Sequence, residues 1–243
     1  MAGNPEKKNK TLVIIPAFNE EEKIQTVFQG IKQEVPEAIV LVVNDGSSDQ
    51  TEARALASGA KVLSHPFNMG YGVTLQTGYK YALKHGFEYI LQMDGDGQHD
   101  PRYLPILLRE IEKERADVVI GSRFLSEAGY RADWLRQIGI YLFRFIASFL
   151  CGQKITDPTS GYQALSRRAV EFCVRDSFPG DYPDADVLVL MHRAGLRIRE
   201  VPVRMHPNAN GKSMHSGLKP LYYIYKMCLS ITLNLMRQEK EIK

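Results

Sequence analysis

Two unbroken runs of branched aliphatics constrain this fold more than any other feature: Thr11-Leu12-Val13-Ile14-Ile15-Pro16 and Ile39-Val40-Leu41-Val42-Val43. A strand with one wet face alternates polar and apolar residues. A run without alternation is buried on both faces, as in a mostly parallel sheet covered by helices on each side. Between the runs, Asn19 is placed to cap a helix whose first turn holds Glu20, Glu21 and Glu22 at the positive end of its dipole, and Pro36 marks its end. That completes one β-α-β unit. The alternation continues with a short strand at Lys61 to Ser64, a helix from Gly72 to Lys84, a strand at Phe87 to Met93, a helix after Pro101 and a strand at Asp117 to Ile120. Past Gly121-Ser122-Arg123 come a long loop, an amphipathic helix from Trp134 to Cys151, a strand at Tyr162 to Ser166, a helix after Asp184 and a strand at Arg197 to Met205. Such unit lengths suit a doubly wound α/β sheet with its ligand at the carboxyl ends of the strands.

The chain has 243 residues, enough to bury a large core without metal or disulfide staples. Residues 11–236 read as one domain, between a polar flexible tail at 1–10 and a charged tail at 237–243. A formal charge of +3 is too mild for a nucleic-acid partner. Cys151, Cys173 and Cys228 offer neither zinc-finger spacing nor an even disulfide framework, so a reducing compartment and apolar packing roles are expected. Met1 to Lys10 carries no apolar signal-peptide core, which points to the cytosol. Ile138 to Cys151 and Leu221 to Leu235 are interrupted by Arg144 and Lys226 and fall short of the ~20 residues of a spanning helix.

The chemistry concentrates in Asp94-Gly95-Asp96-Gly97-Gln98-His99-Asp100, which ends the apolar run Tyr89 to Met93. Carboxylates that close repel one another unless a hard divalent ion such as Mg2+ or Mn2+ supplies the opposite charge. Gly95 and Gly97 allow a tight turn that aims alternate side chains at one centre. The plainer reading is a solvated acidic turn. Asp45, where the second run emits its loop, can accept the ring N–H of uracil, thymine or guanine, and Gly46-Ser47-Ser48-Asp49 can hold a ribose; a simple Asx or capping turn before Thr51 is the alternative. In Asn68-Met69-Gly70-Tyr71-Gly72 the glycines permit close approach of backbone amides to a nucleotide. The segment lacks the remaining glycine of the dinucleotide fingerprint and follows the third strand, so NAD is disfavoured.

In order along nearly the whole chain, the sequence resembles family 2 glycosyltransferases, most closely the subgroup of dolichol-phosphate mannose synthase and related polyprenyl-phosphate sugar transferases. The matching pieces are Pro16-Ala17-Phe18-Asn19-Glu20, Asp45 to Thr51, Asn68 with Gly70 and Gly72, Asp94 to His99, Gly121-Ser122-Arg123, Asp157-Pro158-Thr159-Ser160-Gly161-Tyr162, and Glu200-Val201-Pro202-Val203 followed by Gly211-Lys212-Ser213. The resemblance implies a GT-A fold, the Rossmann-like architecture of nucleotide-diphospho-sugar transferases. It implies that Asp45 reads the base, that Pro16, Phe18, Asn19, Glu20, Gly70, Gly95, Lys212 and Ser213 line the substrate site, and that Asp94, Asp96 and Gln98 surround Mg2+ or Mn2+ on the donor diphosphate. Transfer would invert the anomeric carbon, with Asp96, Arg123 and Asp157 as the catalytic set.

Arg123, Arg131 and Arg136 are placed to hold a phosphorylated acceptor or the departing diphosphate; a solvated basic helix face is the alternative. Asp157 is the expected base or acceptor-orienting carboxylate, against a turn-capping role with Thr159 and Ser160. A polyprenyl phosphate, with a second pKa of about 6, is already ionised near neutrality and needs only positioning, whereas a sugar hydroxyl needs its proton removed. The chain departs from the family at Asn208, where relatives commonly carry an arginine; the diphosphate contact expected there is either absent or made by Arg204, His206 or Lys212, and His99 and His215 are further neighbours or plain surface and packing residues.

The expectation is therefore a cytosolic, metal-dependent, inverting hexosyltransferase acting on a polyprenyl phosphate or other lipid-linked acceptor. Leu221 to Met227 and the helix from Trp134 to Cys151 suit peripheral contact with a membrane or membrane protein, and equally a core or dimer face. A sugar nucleotidyltransferase is the competing enzyme, but it should place a glycine-rich basic loop where Pro16 to Glu20 stands. A non-catalytic nucleotide-sugar-binding subunit of a membrane complex is the reading from another class.

Overall fold

A computed structural model of the chain describes residues 10–125, 134–176, 178–180, 183–206 and 219–236, without the side chains of 134–138, 219–224 and 234–236. Its centre is a seven-stranded sheet in the order β3-β2-β1-β4-β6-β5-β7. The strands are β1 (Thr11–Ala17), β2 (Ile39–Asn44), β3 (Lys61–Ser64), β4 (Tyr89–Gln92), β5 (Val118–Ser122), β6 (Gln163–Ser166) and β7 (Ile198–Pro202). All neighbours pair in parallel except β6, which runs antiparallel to both β4 and β5. The two aliphatic runs are β1 and β2, side by side from Leu12 opposite Ile39 to Ala17 opposite Asn44.

The absence of alternation in β1 has the expected consequence. Leu12 and Ile14 point into one core layer, with Leu75 and Tyr79 of α3 (Tyr71–His85); Val13 and Ile15 point into the other, with Ile24, Val27 and Ile31 of α1 (Ile24–Glu34) and Leu104 and Leu107 of α4 (Leu104–Glu112). Leu12 through Ile15 are all fully buried, and each side chain removed from water contributes about 1.5–3 kcal/mol. Between these lie α2 (Thr51–Ala57) and, later in the chain, α5 (Trp134–Cys151), α6 (Arg167–Cys173), α7 (Ala185–Arg193) and α8 (Lys219–Met236). Phe143 of α5, Ala185 of α7, and Met227 and Ile231 of α8 form a third, smaller apolar cluster.

Three local expectations need correction. Asn19 caps no helix: α1 starts at Ile24 behind Lys23, with no acid in its first turn and no side-chain cap. Asn19 instead adopts φ 57°, and its side-chain oxygen accepts from Ser48 N–H, so the acids at 20–22 belong to a loop. Helix α6 was not foreseen, although Ser166 caps it by accepting from Ala169 N–H. The last strand ends at Pro202 rather than Met205; beyond it, His206 N–H donates to Gln98 carbonyl and Met205 bridges His99, so the chain leaves β5 and reaches across to the acidic loop.

Strand order explains why distant motifs meet. From β1 the chain builds outward to β2 and β3, then returns to place β4 on the other side of β1. The loops after β1 and β4 thus diverge at a switch point, where α/β sheets open a crevice. Because β6 is antiparallel, the segment 156–162 that precedes it emerges on that same edge.

Candidate active site

One side of the crevice is a lattice of short polar side chains holding backbone amides. Asn19 N–H donates to Ser47 Oγ (2.9 Å), Glu20 N–H to Thr51 Oγ1 (2.8 Å) and Glu21 N–H to Asp49 Oδ2 (3.1 Å). In return Ser48 N–H donates to Asn19 Oδ1 and Gln50 N–H to Glu21 Oε2. The loops after β1 and β2 are thereby fastened together. Burial alone would raise the Asp49 carboxyl, but the hydrogen bonds from Thr51 and Glu21 hold it below its ordinary value. Pro16 is buried, while Phe18 stands 47% exposed at the lip.

Asp45 is buried, and its carboxylate collects three donors: His65 Nδ1 at 2.7 Å and Met69 N–H at 2.9 Å on Oδ1, and Gly70 N–H at 2.9 Å on Oδ2. It holds the Asn68–Gly70 loop against the end of β2. Gly70, at φ 97°, has a backbone that side-chain-bearing residues rarely adopt, and it leads directly into α3.

The acidic loop forms the floor. Asp94 Oδ1 accepts from Tyr71 Oη at 2.9 Å, and Asp94 N–H donates to His99 Nδ1 at 3.0 Å. The His99 proton therefore sits on Nε2, 3.7 Å from Asp94 Oδ2, while the ring stacks on Tyr162 at 4.7 Å between centroids. Burial, and secondarily Asp96, raises the Asp94 carboxyl; His99, Tyr71 and Arg123 oppose that rise. Burial also depresses His99, keeping it neutral. Gln98 N–H donates to Asp96 Oδ1, and its side-chain amide donates to Oδ2. Gly97 makes its turn at φ 73°, whereas at Gly95 an added Cβ would meet Ile15 and the Pro16 carbonyl at 3.4 Å, close to an ordinary contact distance. Glu20 faces this loop, and burial together with Asp96 and Asp94 pushes its carboxyl up to about 7.

The far wall is a buried ion pair. Arg123 Nε and Nη2 meet Asp157 Oδ2 and Oδ1 at 2.7 and 2.6 Å, Arg123 N–H adds a third bond at 3.0 Å, and Nη2 also reaches Thr159 Oγ1. The two side chains are 8% and 0% exposed. Behind them Glu200 accepts from Thr156 N–H, Thr156 Oγ1 and Asp157 N–H; burial raises its carboxyl, and those bonds oppose the rise. Asp157, expected as a base, thus has no open surface, and both its oxygens are occupied by Arg123.

The structure brings together Glu20, Asp94, Asp96, Gln98, Arg123 and Asp157, with Asp45 and Gly70 one loop away. Arg131, Lys212, Ser213, Asn208 and His215 lie outside the described residues, as does the side chain of Arg136, which sits in the first turn of α5. Sequence reasoning assigned no role to Tyr71, His65 or Glu200. Glu200 had a legible signal: it stands two residues from buried Ile198 on the same strand face, where a carboxylate must find donors.

This sheet, with its crevice at the β1/β4 switch, is the GT-A fold. A crystal structure of glucosyl-3-phosphoglycerate synthase from Mycobacterium tuberculosis, in complex with Mn2+, UDP-glucose and phosphoglyceric acid, matches it with a TM-score of 0.69 at 21% identity, over 95% of this chain and 81% of that one. The family model for glycosyl transferase family 2 matches residues 12–173, and the chain belongs to that family and is a glycosyltransferase. Relatives include an undecaprenyl-phosphate mannosyltransferase of Micrococcus luteus, 32% identical over 86% of this chain and 88% of that protein. A polyprenol monophosphomannose synthase of Mycolicibacterium smegmatis is 32% identical over 86% of this chain and 82% of its own.

Proposed function

We propose that this glycosyltransferase moves a hexose from a nucleotide-diphospho-sugar to a polyprenyl phosphate, with inversion at the anomeric carbon and with Mg2+ or Mn2+ as cofactor. The observation that carries the reading is that the acidic turn meets the segment that holds Arg123: a Cβ added at Gly161 would lie 3.5 Å from Asp94 Oδ2, and two residues earlier Thr159 Oγ1 accepts from Arg123 Nη2 at 2.9 Å. The names of the two bacterial relatives, each 32% identical, support the acceptor class.

The donor set suits a hard cation: two carboxylates on one turn, whose charge, after burial, helps to raise the carboxyl of Glu20. Among the described residues no three His, Cys, Asp or Glu side chains converge into a ready-made metal site, so donor phosphate oxygens and water would complete the coordination, as Mg2+ prefers. When bound, such an ion neutralises the charge that develops on the leaving diphosphate. Asp94 and Asp96 would hold it, and Gln98 keeps Asp96 oriented through two hydrogen bonds. Tyr71, whose phenol burial and Asp94 keep protonated, fixes the Asp94 rotamer.

Arg123 supplies positive charge toward the phosphates, and Asp157 and Glu200 position it. A phosphate acceptor is already ionised, so no base is required of Asp157, which agrees with its burial. The acceptor's lipid chain needs an apolar surface. Two rows spaced by four residues provide one: Tyr141, Phe145 and Phe149 on α5 are 63, 71 and 76% exposed, and Tyr225, Leu229 and Leu233 on α8 are 64, 44 and 52% exposed. No helix among the described residues is long and apolar enough to cross a membrane, and the contact we propose is of these exposed rows with the membrane surface.

The test is transfer of radiolabelled sugar from UDP-, GDP- and dTDP-hexoses to a short-chain polyprenyl phosphate presented in vesicles. Product with one donor, absent in Asp96→Ala, is expected. Donor turnover onto water-soluble phosphates alone would overturn the acceptor assignment.

A further inference from the structure

We propose that His65 is a positioning residue for base recognition: it fixes the Asp45 carboxylate and thereby sets which nucleobase the donor carries. The proposal rests on the reading that Asp45 meets the donor base. His65 directly follows β3, and its backbone N–H donates to the Asn44 carbonyl at 2.9 Å, which fastens it to the end of β2. Its ring spans two elements. Nδ1 lies 2.7 Å from Asp45 Oδ1, and Nε2 lies 3.0 Å from Thr77 Oγ1 on α3. A carboxylate only accepts, so the Nδ1 proton points at Asp45. Flipping the ring would forfeit both bonds, and with 10% exposure the side chain has little water to replace them.

The bonding of Asp45 gives this brace its consequence. Oδ1 is filled by His65 and Met69 N–H, while among the described residues Oδ2 accepts from Gly70 N–H alone. A carboxylate offers about four acceptor positions, so the remaining one lies on Oδ2. His65 and Met69, by occupying Oδ1, orient that last lone pair. A base with a ring N–H beside a carbonyl, as in uracil, thymine or guanine, can donate to it; cytosine and adenine present a bare ring nitrogen there and are repelled. Among the described residues no other imidazole bonds to Asp45, and the side-chain bonds of His65 go to Asp45 and Thr77 rather than to the acidic loop. Its role is therefore separable from that of the transfer machinery.

The experiment measures affinities for UDP against CDP, and GDP against ADP, by isothermal titration at fixed Mn2+. The proteins are wild type, Asp45→Asn, His65→Gln and His65→Asn. Asparagine places its amide N–H near the Nδ1 position and keeps the Asp45 bond; glutamine reaches the Nε2 position and keeps only the Thr77 bond. His65→Gln is expected to cut the preference for the ring-N–H base by about tenfold, the value of one hydrogen bond to a charged group, with donor KM rising far more than kcat falls. His65→Asn should retain most of the preference. Equal behaviour of the two variants, whether both keep or both lose the preference, would overturn the proposal, because a merely structural histidine would not distinguish its nitrogens. A wild type without base preference would remove Asp45 as base reader and His65 with it. A preference that Asp45→Asn abolishes and His65→Gln retains would sink His65 alone. Should His65→Gln fail to fold, Thr77→Val removes the far anchor outside the site; about threefold loss of preference is expected, and no loss would equally count against the proposal.

Discussion

The two walls of the crevice are built on opposite physical principles. On the wall formed by the loops after β1 and β2, Asn19, Ser47, Asp49 and Thr51 hold backbone amides of neighbouring loops through hydrogen bonds, two of them open to water. Across the floor, Arg123, Asp157 and Glu200 bury charge, with Asp157 and Arg123 at 0 and 8% exposure. A bond exposed to water contributes about 0.5–1.5 kcal/mol net, so the first wall tolerates losing one member and can adapt to its ligand. A buried charge without its partner is costly, so the second wall is all or nothing. Rigidity is thus concentrated on the wall we assign to transfer, and adjustability on the wall we assign to donor recognition.

The sharpest way to break that contrast is Arg123→Ala. It leaves Asp157 buried and unpaired, and we expect a loss of about 3–5 kcal/mol in denaturant unfolding, with loss of activity at any temperature where folding fails. If the variant were as stable as wild type, the second wall would not be the rigid one. For the same reason Asp157→Asn reports the integrity of the ion pair rather than proton removal. Next comes Asp94→Ala, which should slow transfer by on the order of 100-fold or more while leaving stability unchanged or improved, since the Asp94 carboxyl is raised by its burial and by Asp96. Steady-state kinetics beside a melting curve separates the two effects.

On the adjustable wall, Asp49→Ala removes the acceptor of Glu21 and Thr51 amides. A cost of about 1–2 kcal/mol and a several-fold rise in donor KM are expected, with kcat nearly held; a collapse of kcat would place Asp49 in the transfer machinery. A pH-dependent effect belongs to Glu20. Its folded pKa of about 7 lies above the ordinary 4.5, so its stabilising share is complete below about pH 4.5 and is lost as pH rises through 7. In EDTA, melting temperature should decline over that window, and Glu20→Gln should flatten the decline; adding Mn2+ should do the same by favouring the ionised carboxyl. An unchanged pH profile in Glu20→Gln would detach Glu20 from the acidic floor.

Much of the scaffold was legible because it follows from burial alone. The unbroken aliphatic runs marked β1 and β2, and α5 spans Trp134–Cys151, as its amphipathic pattern implies. The acidic loop was legible because Asp94 and Asp96 close an apolar run on an interior strand. What escaped were features decided by partners far along the chain. Asn19 reads as a cap but is claimed by Ser48, 29 residues away. Asp157 reads as a free acid, yet Arg123, 34 residues earlier, closes both its oxygens. The reversal of β6 cannot be read from its four residues, although it brings the segment that holds Asp157 to the crevice. His65 and Tyr71 looked like ordinary strand-end and helix-start residues until the fold brought them to Asp45 and Asp94.

The central claim is that the acidic floor, through a divalent ion, holds the donor diphosphate. Isothermal titration of UDP and GDP into wild type and Asp96→Ala, each with Mn2+ and with EDTA, addresses it directly. The account predicts that one nucleotide binds wild type at least about tenfold more tightly with Mn2+, a difference of about 1.4 kcal/mol, and that Asp96→Ala erases this gain. Equal affinity of the wild type with and without Mn2+ would contradict it.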